Sequence, residues 1–148
     1  MIETHPYDGH LRDLGITRDP KWHKLRAEVI KERGGKCELS GCLSSLEVHH
    51  VIPFHFGILL KRPWIELDKR NLFILSTAPT DYHLLLGHLD FFQSYNADVR
   101  ECGRFAGTAF EEAAAWQEIV AHRAKPWHQM TDADKDALAA LIDRLYPR

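Results

Sequence analysis

What the chain lacks narrows the reading first. No apolar run approaches the roughly 18 residues that a membrane-spanning helix requires. The opening MIETHPYDGH has neither the basic region nor the apolar stretch of a secretory signal, so a cytoplasmic protein with no membrane partner is expected. Cysteine is scarce, and its count of 3 is odd, which argues against a disulfide framework. Charge of one sign is lacking too: a formal net charge of −2 excludes an all-round surface for nucleic acid. No repeat, low-complexity tract or linker interrupts the 148 residues. A single domain over 1–148 is expected, long enough to bury a core.

Histidine, by contrast, is abundant, with 10 residues, two of them adjacent in LEVHHVIPFHFG. Charge is also uneven. Arg18 to Lys36 holds seven Lys and Arg against Asp19, Glu28 and Glu32, and KRPWIELDKR adds Lys61, Arg62, Lys69 and Arg70 against Glu66 and Asp68. A basic front half can meet phosphate while the whole chain stays near neutral, although a solvated helix face would read the same way.

Periodicity divides the chain into short elements. The first 17 residues show no period and are expected as an extended arm. DPKWHKLRAEVIKERGG reads as a helix, with Asp19 as N-cap, Pro20 at its start, Trp22, Leu25, Val29 and Ile30 on one face, and Gly34-Gly35 ending it. CELSGCLSS is turn-like, and LEVHHVIP is a short strand stopped by Pro53. Residues 54–70 read as a loop, and Glu66 and Asp68 as its surface. Asn71 opens a second strand, LFILS, and APTDYHLLLGHL reads as a short helix. Two more helices are expected, each with a capping box: Thr108 with Glu111, and Thr131 with Asp134.

In order, the chain offers His49-His50 at a strand end, Asn71 at the next strand's start, and His83 and His88 on the element after it. Together with WHKLRAEVIKERGGKCELSG, LEVHHVIPFH, ELDKRNLFIL and YHLLLGHL, this resembles the HNH endonucleases of the ββα-metal (His-Me finger) superfamily. The resemblance implies an α+β fold whose core, about 22–99, is a two-stranded antiparallel hairpin plus helix. An N-terminal helix and a C-terminal helical part, about 105–146, would flank it.

The chemistry explains the residue types. Hydrolysing a phosphodiester needs an activated water, shielding of the phosphate charge and stabilisation of the departing 3′ oxygen. Imidazole takes a proton near neutral pH. Successive side chains on a strand point to opposite sides, so His49 and His50 can serve different tasks. The resemblance implies DNA cleavage to 5′-phosphate and 3′-hydroxyl ends, with His50 as general base and Asn71 holding its ring. It also implies His49 and His83 as ligands of one divalent metal, with Mg, Mn, Ni and Zn all open.

His88 lies five residues from His83, about 140° out of register on an α-helix. A left-handed turn at Gly87 would bring it back to the metal; otherwise His88 binds backbone or phosphate. His55 would contact phosphate or brace the loop. Lys61, Arg62, Lys69 and Arg70 would grip the DNA backbone with little sequence preference, and Trp64 would stack on a base or anchor the loop.

Many relatives hold a structural zinc with two cysteine pairs. Here Cys37 and Cys42 match the first pair, while Ser76 and Tyr82 stand where the second would fall, so no structural zinc is expected. Cys102 reads as incidental. The alternative to a nuclease is a catalytically silent ββα module that binds DNA or a partner.

Overall fold

The computed structural model describes Leu11 and residues 14–148; residues 1–10, 12 and 13, and with them most of the expected N-terminal arm, lie outside the described residues. Within the described part, the chain turns at Leu14 and Gly15. The N–H groups of Leu14 and Ile16 both donate to the Leu11 carbonyl, at 3.2 and 2.9 Å. Leu11 and Ile16 are buried there against Phe54.

Helix α1 spans Trp22–Glu32. It starts slightly later than its sequence pattern implies, because Asp19 closes the preceding turn with its carboxylate, which accepts from the Lys21 N–H at 2.8 Å. Gly34 and Gly35, both at positive φ, end it, and Gly35 N–H returns to the Ile30 carbonyl at 2.8 Å. Strands β1 (Leu46–His50) and β2 (Leu72–Ser76) form one antiparallel hairpin in which His49 pairs with Phe73 and His50 with Leu72. Strand alternation sorts the hairpin into two faces. Val48, Leu72 and Ile74 pack on Trp22 and Val29 of α1. Phe73 and Leu75 enter a second cluster with Leu86, Val99, Phe105, Phe110 and Trp116.

Residues 54–70, expected as a loop, are instead largely helical, and buried at 54–57 and 65–66. Helix α2 spans Phe54–Leu59, followed by 3-10 turns at Pro63–Glu66 and Lys69–Asn71. Aromatics and a glycine make a poor helix by propensity, but Phe56 and Ile65 are drawn in by packing against Ile52, Leu138, Ile142 and Tyr146. Gly57 permits this fold-back, since a Cβ there would come within 2.4 Å of the Ile65 side chain and 2.7 Å of the Arg62 carbonyl.

After β2 the chain makes a π-helical turn, His83–Gly87, then a 3-10 segment, Val99–Phe105. Helix α3 spans Ala114–Ala121. The capping box expected from Thr108 and Glu111 does not start it: the Thr108 hydroxyl donates to the Phe105 carbonyl at 2.8 Å, and Phe110–Glu112 forms a 3-10 turn. Burying the Phe110 ring beside Tyr82, Phe105 and Trp116 sets that turn. Helix α4, Asp132–Leu145, has its capping box complete: the Thr131 hydroxyl accepts from Asp134 N–H and the Asp134 carboxylate from Thr131 N–H. Leu138 and Ile142 face the core.

Cys37 is buried in the Phe73 cluster, with its N–H donating to the Cys42 carbonyl at 2.8 Å across the tight turn, and the three cysteines are free thiols. Ser76 is buried, and the Tyr82 hydroxyl accepts from Gly107 N–H at 2.9 Å. Among the described residues no helix is long and apolar enough to cross a membrane.

Candidate metal centre

Three histidines converge on the Phe73 face of the hairpin. His49 comes from β1, His83 opens the π-helical turn and His88 follows it; they are 1%, 5% and 4% exposed. Their ring centroids lie 5.0, 4.7 and 4.8 Å apart. One nitrogen of each lies within 4.8 Å of the others, so the group can hold a metal ion.

Two local features bring them together. In the π-helical turn, His88 N–H donates to the His83 carbonyl at 3.1 Å. Bonding from i to i+5 stacks residues five apart, which an α-helix would splay. The expected left-handed turn at Gly87 is therefore not needed, and Gly87 contributes space instead. A Cβ there would lie 3.1 Å from Cε1 and 3.2 Å from Nε2 of His49.

Hydrogen bonds then fix the tautomers. The His83 Nδ1–H donates to Oε2 of Glu47 at 2.5 Å. The His88 Nδ1–H donates to the Ser94 carbonyl at 2.8 Å. Both acceptors lack a proton to give, so in the neutral rings both Nε2 atoms carry lone pairs. Those two atoms face each other at 3.2 Å. Lone pairs at that separation repel, and either a shared proton or a metal ion between them relieves this. A tetrahedral metal with bonds of about 2.0–2.1 Å holds two imidazole nitrogens about 3.4 Å apart, close to the observed spacing. The donor set thus fits a divalent ion of borderline softness.

His50, next along β1, points to the opposite face. Its Nε2–H donates to the Glu66 carbonyl at 2.9 Å, which leaves the Nδ1 lone pair available. The ring lies 4.5 Å from that of Trp22 and 5.4 Å from that of Phe54. Burial pushes its pKa down to about 3, the Glu66 carbonyl opposes this, and the Arg18 charge adds to it. The ring is neutral at physiological pH.

Asn71 does not hold the His50 ring as expected. Its amide oxygen accepts from Ile52 N–H at 2.9 Å, and its NH2 donates to the carbonyls of Ile52 at 2.8 Å and Ile65 at 3.1 Å. Fully buried, it ties the end of β1 to the 54–66 segment. That segment supplies the Glu66 carbonyl, so Asn71 orients His50 at one remove. Glu66 itself, expected on the surface, is 4% exposed and accepts from Asp19 N–H at 2.9 Å.

Of the four expected phosphate-binding cations, Arg62, Lys69 and Arg70 are paired with protein carboxylates. Arg62 makes a two-pronged pair with Asp143, Lys69 pairs with Glu32, and Arg70 pairs with Asp68. Lys61 is exposed. His55, at 2% exposure, packs 4.4 Å from the Phe56 ring and braces the fold rather than facing solvent. Trp64 anchors its segment by donating to the Tyr146 carbonyl at 3.3 Å.

Sequence reasoning missed Glu47 and Ser94. Strand alternation was the available signal for Glu47, two residues before His49 and on the same face. Ser94 acts through its backbone carbonyl, which no residue type announces. No protein-family model, curated protein or solved structure matches this chain.

Proposed function

We propose that this protein is a metal-dependent DNA endonuclease of the HNH type. The observation that carries the reading is the facing pair of His83 and His88 Nε2 atoms, 3.2 Å apart beside His49, with a neutral histidine next along the same strand. In this reading His49, His83 and His88 hold one divalent ion. When bound, the ion supplies charge shielding at the phosphate and stabilisation of the departing 3′ oxygen.

The chain's own groups do the rest. His50 Nδ1 takes the proton of the attacking water, the Glu66 carbonyl holding the ring in the tautomer that leaves its Nδ1 lone pair available, although burial makes that nitrogen a weak base. Glu47 and Ser94 keep His83 and His88 presenting Nε2. DNA is the substrate, and backbone contacts from the basic α1 and from Lys61, Arg62, Lys69 and Arg70 position it with little sequence preference.

Two observations favour a second reading, a silent ββα module. Arg62, Lys69 and Arg70 all have carboxylate partners, and His50 is only 8% exposed. A supercoiled-plasmid assay across Mg, Mn, Ni and Zn, with a chelator and His50→Ala as controls, separates the two. The nuclease reading expects metal-dependent cutting that the substitution removes while fold and metal binding persist. Cutting that survives in His50→Ala would remove His50 as the base, and DNA binding without cutting in any metal would favour the silent module.

A further inference from the structure

We propose that Arg18 is a phosphate-binding residue of this site, placed to hold the non-bridging oxygens of the phosphodiester on which His50 acts. The inference rests on the nuclease reading and names the cation that reading otherwise lacks beside its base.

The guanidinium carbon of Arg18 lies 5.4 Å from the Trp22 ring centre and 4.9 Å from that of Phe54. The same two rings flank His50, at 4.5 and 5.4 Å. Cation and base therefore share two walls, and the Arg18 charge acts on His50 and on Glu66 alike. The placement is held from both sides by one residue. Glu66 accepts the His50 Nε2–H through its carbonyl, and through its carboxylate it accepts the N–H of Asp19, the residue after Arg18.

Arg18 is half-buried, so its charge is less screened than those of Lys69 and Arg70 at the surface. A guanidinium carries five N–H donors in a planar fork, enough to bind an anion while keeping a protein contact. The opposing consideration is the Glu66 carboxyl nearby. Burial pushes it above the usual carboxylate range, and the Asp19 N–H partly offsets that.

The test uses the full chain. The Arg18 Nε–Hε resonance, assigned by its loss in Arg18→Lys, is followed by NMR while inorganic phosphate or thymidylyl-(3′,5′)-thymidine is added. A saturable shift with either probe is expected; a resonance unmoved by both overturns the inference. In the plasmid assay, Arg18→Lys and Arg18→Ala should lower kcat about 100-fold or more, the usual loss for one transition-state donor. Unfolding midpoint and metal affinity in Arg18→Lys should stay as in the parent. Undiminished kcat in both variants also overturns the inference. If the parent protein cuts no DNA yet its Arg18 resonance responds to phosphate, the nuclease reading fails and the anion site stands.

Discussion

His83 and His88 point their Nε2 atoms at each other across 3.2 Å, each with its Nδ1–H already given to an acceptor. With both Nδ1–H groups so committed, the two Nε2 atoms can share a proton or hold a metal cation between them. Adding Ni or Zn should therefore raise the melting temperature, by an amount equivalent to about 2.7 kcal/mol at a hundredfold excess over Kd. His88→Ala should weaken metal binding by more than about 100-fold, beyond the range typical of outer-sphere changes. Calorimetric titration checks both.

Glu47 holds His83 by its Nδ1–H. Glu47→Gln replaces a carboxylate acceptor with an amide and should lower metal affinity about 10–100-fold. Because Glu47 sits near the hairpin surface, at 36% side-chain exposure, the urea midpoint without metal should hardly change. Metal titration and urea unfolding of the same preparation separate the two effects.

Asn71 makes three buried hydrogen bonds to Ile52 and Ile65. Asn71→Ala leaves their backbone groups without that partner and should cost on the order of 3 kcal/mol of stability. Asn71→Asp should also destabilise, since a carboxylate cannot donate to the two carbonyls. Urea unfolding measures both, and a loss under about 0.5 kcal/mol in Asn71→Ala would show that the tie is dispensable.

The Glu66 carboxyl is pushed above its usual range by burial. A carboxyl with a raised folded-state pKa contributes stability below the unfolded value, near 4.5, and loses it as pH rises through the folded value. Glu66→Gln retains an oxygen for the Asp19 N–H and has no charge to bury. The variant should match the parent near pH 4 and exceed it at pH 7. Urea midpoints at the two values test this, and a parent more stable at pH 7 would reverse the sign.

Much of the framework was legible because it rests on local rules. The short runs LEVHHVIP and LFILS marked the two strands, whose pairing as a hairpin the resemblance implied, and the Thr131–Asp134 capping box marked α4. The same rule failed at Thr108, where burial of Phe110 overrode the capping preference. Residues 54–70 read as a loop, and tertiary packing makes 54–59 a helix despite the poor helix propensity of Phe-His-Phe-Gly. In the site, His49, His83 and His88 were readable as chemistry, but the π-helical turn that joins the last two was not, since α-helical phase separates them. The roles of Asn71 and of the Glu66 and Ser94 carbonyls depend on backbone atoms, which a residue pattern does not display.

X-ray absorption on the zinc-loaded protein addresses the claim on which the rest depends. The account predicts one zinc per chain, with three imidazole nitrogens at about 2.0–2.1 Å and at least one nitrogen lost from the shell in His88→Ala. A first shell containing sulfur, or one that His88→Ala leaves intact, would contradict it.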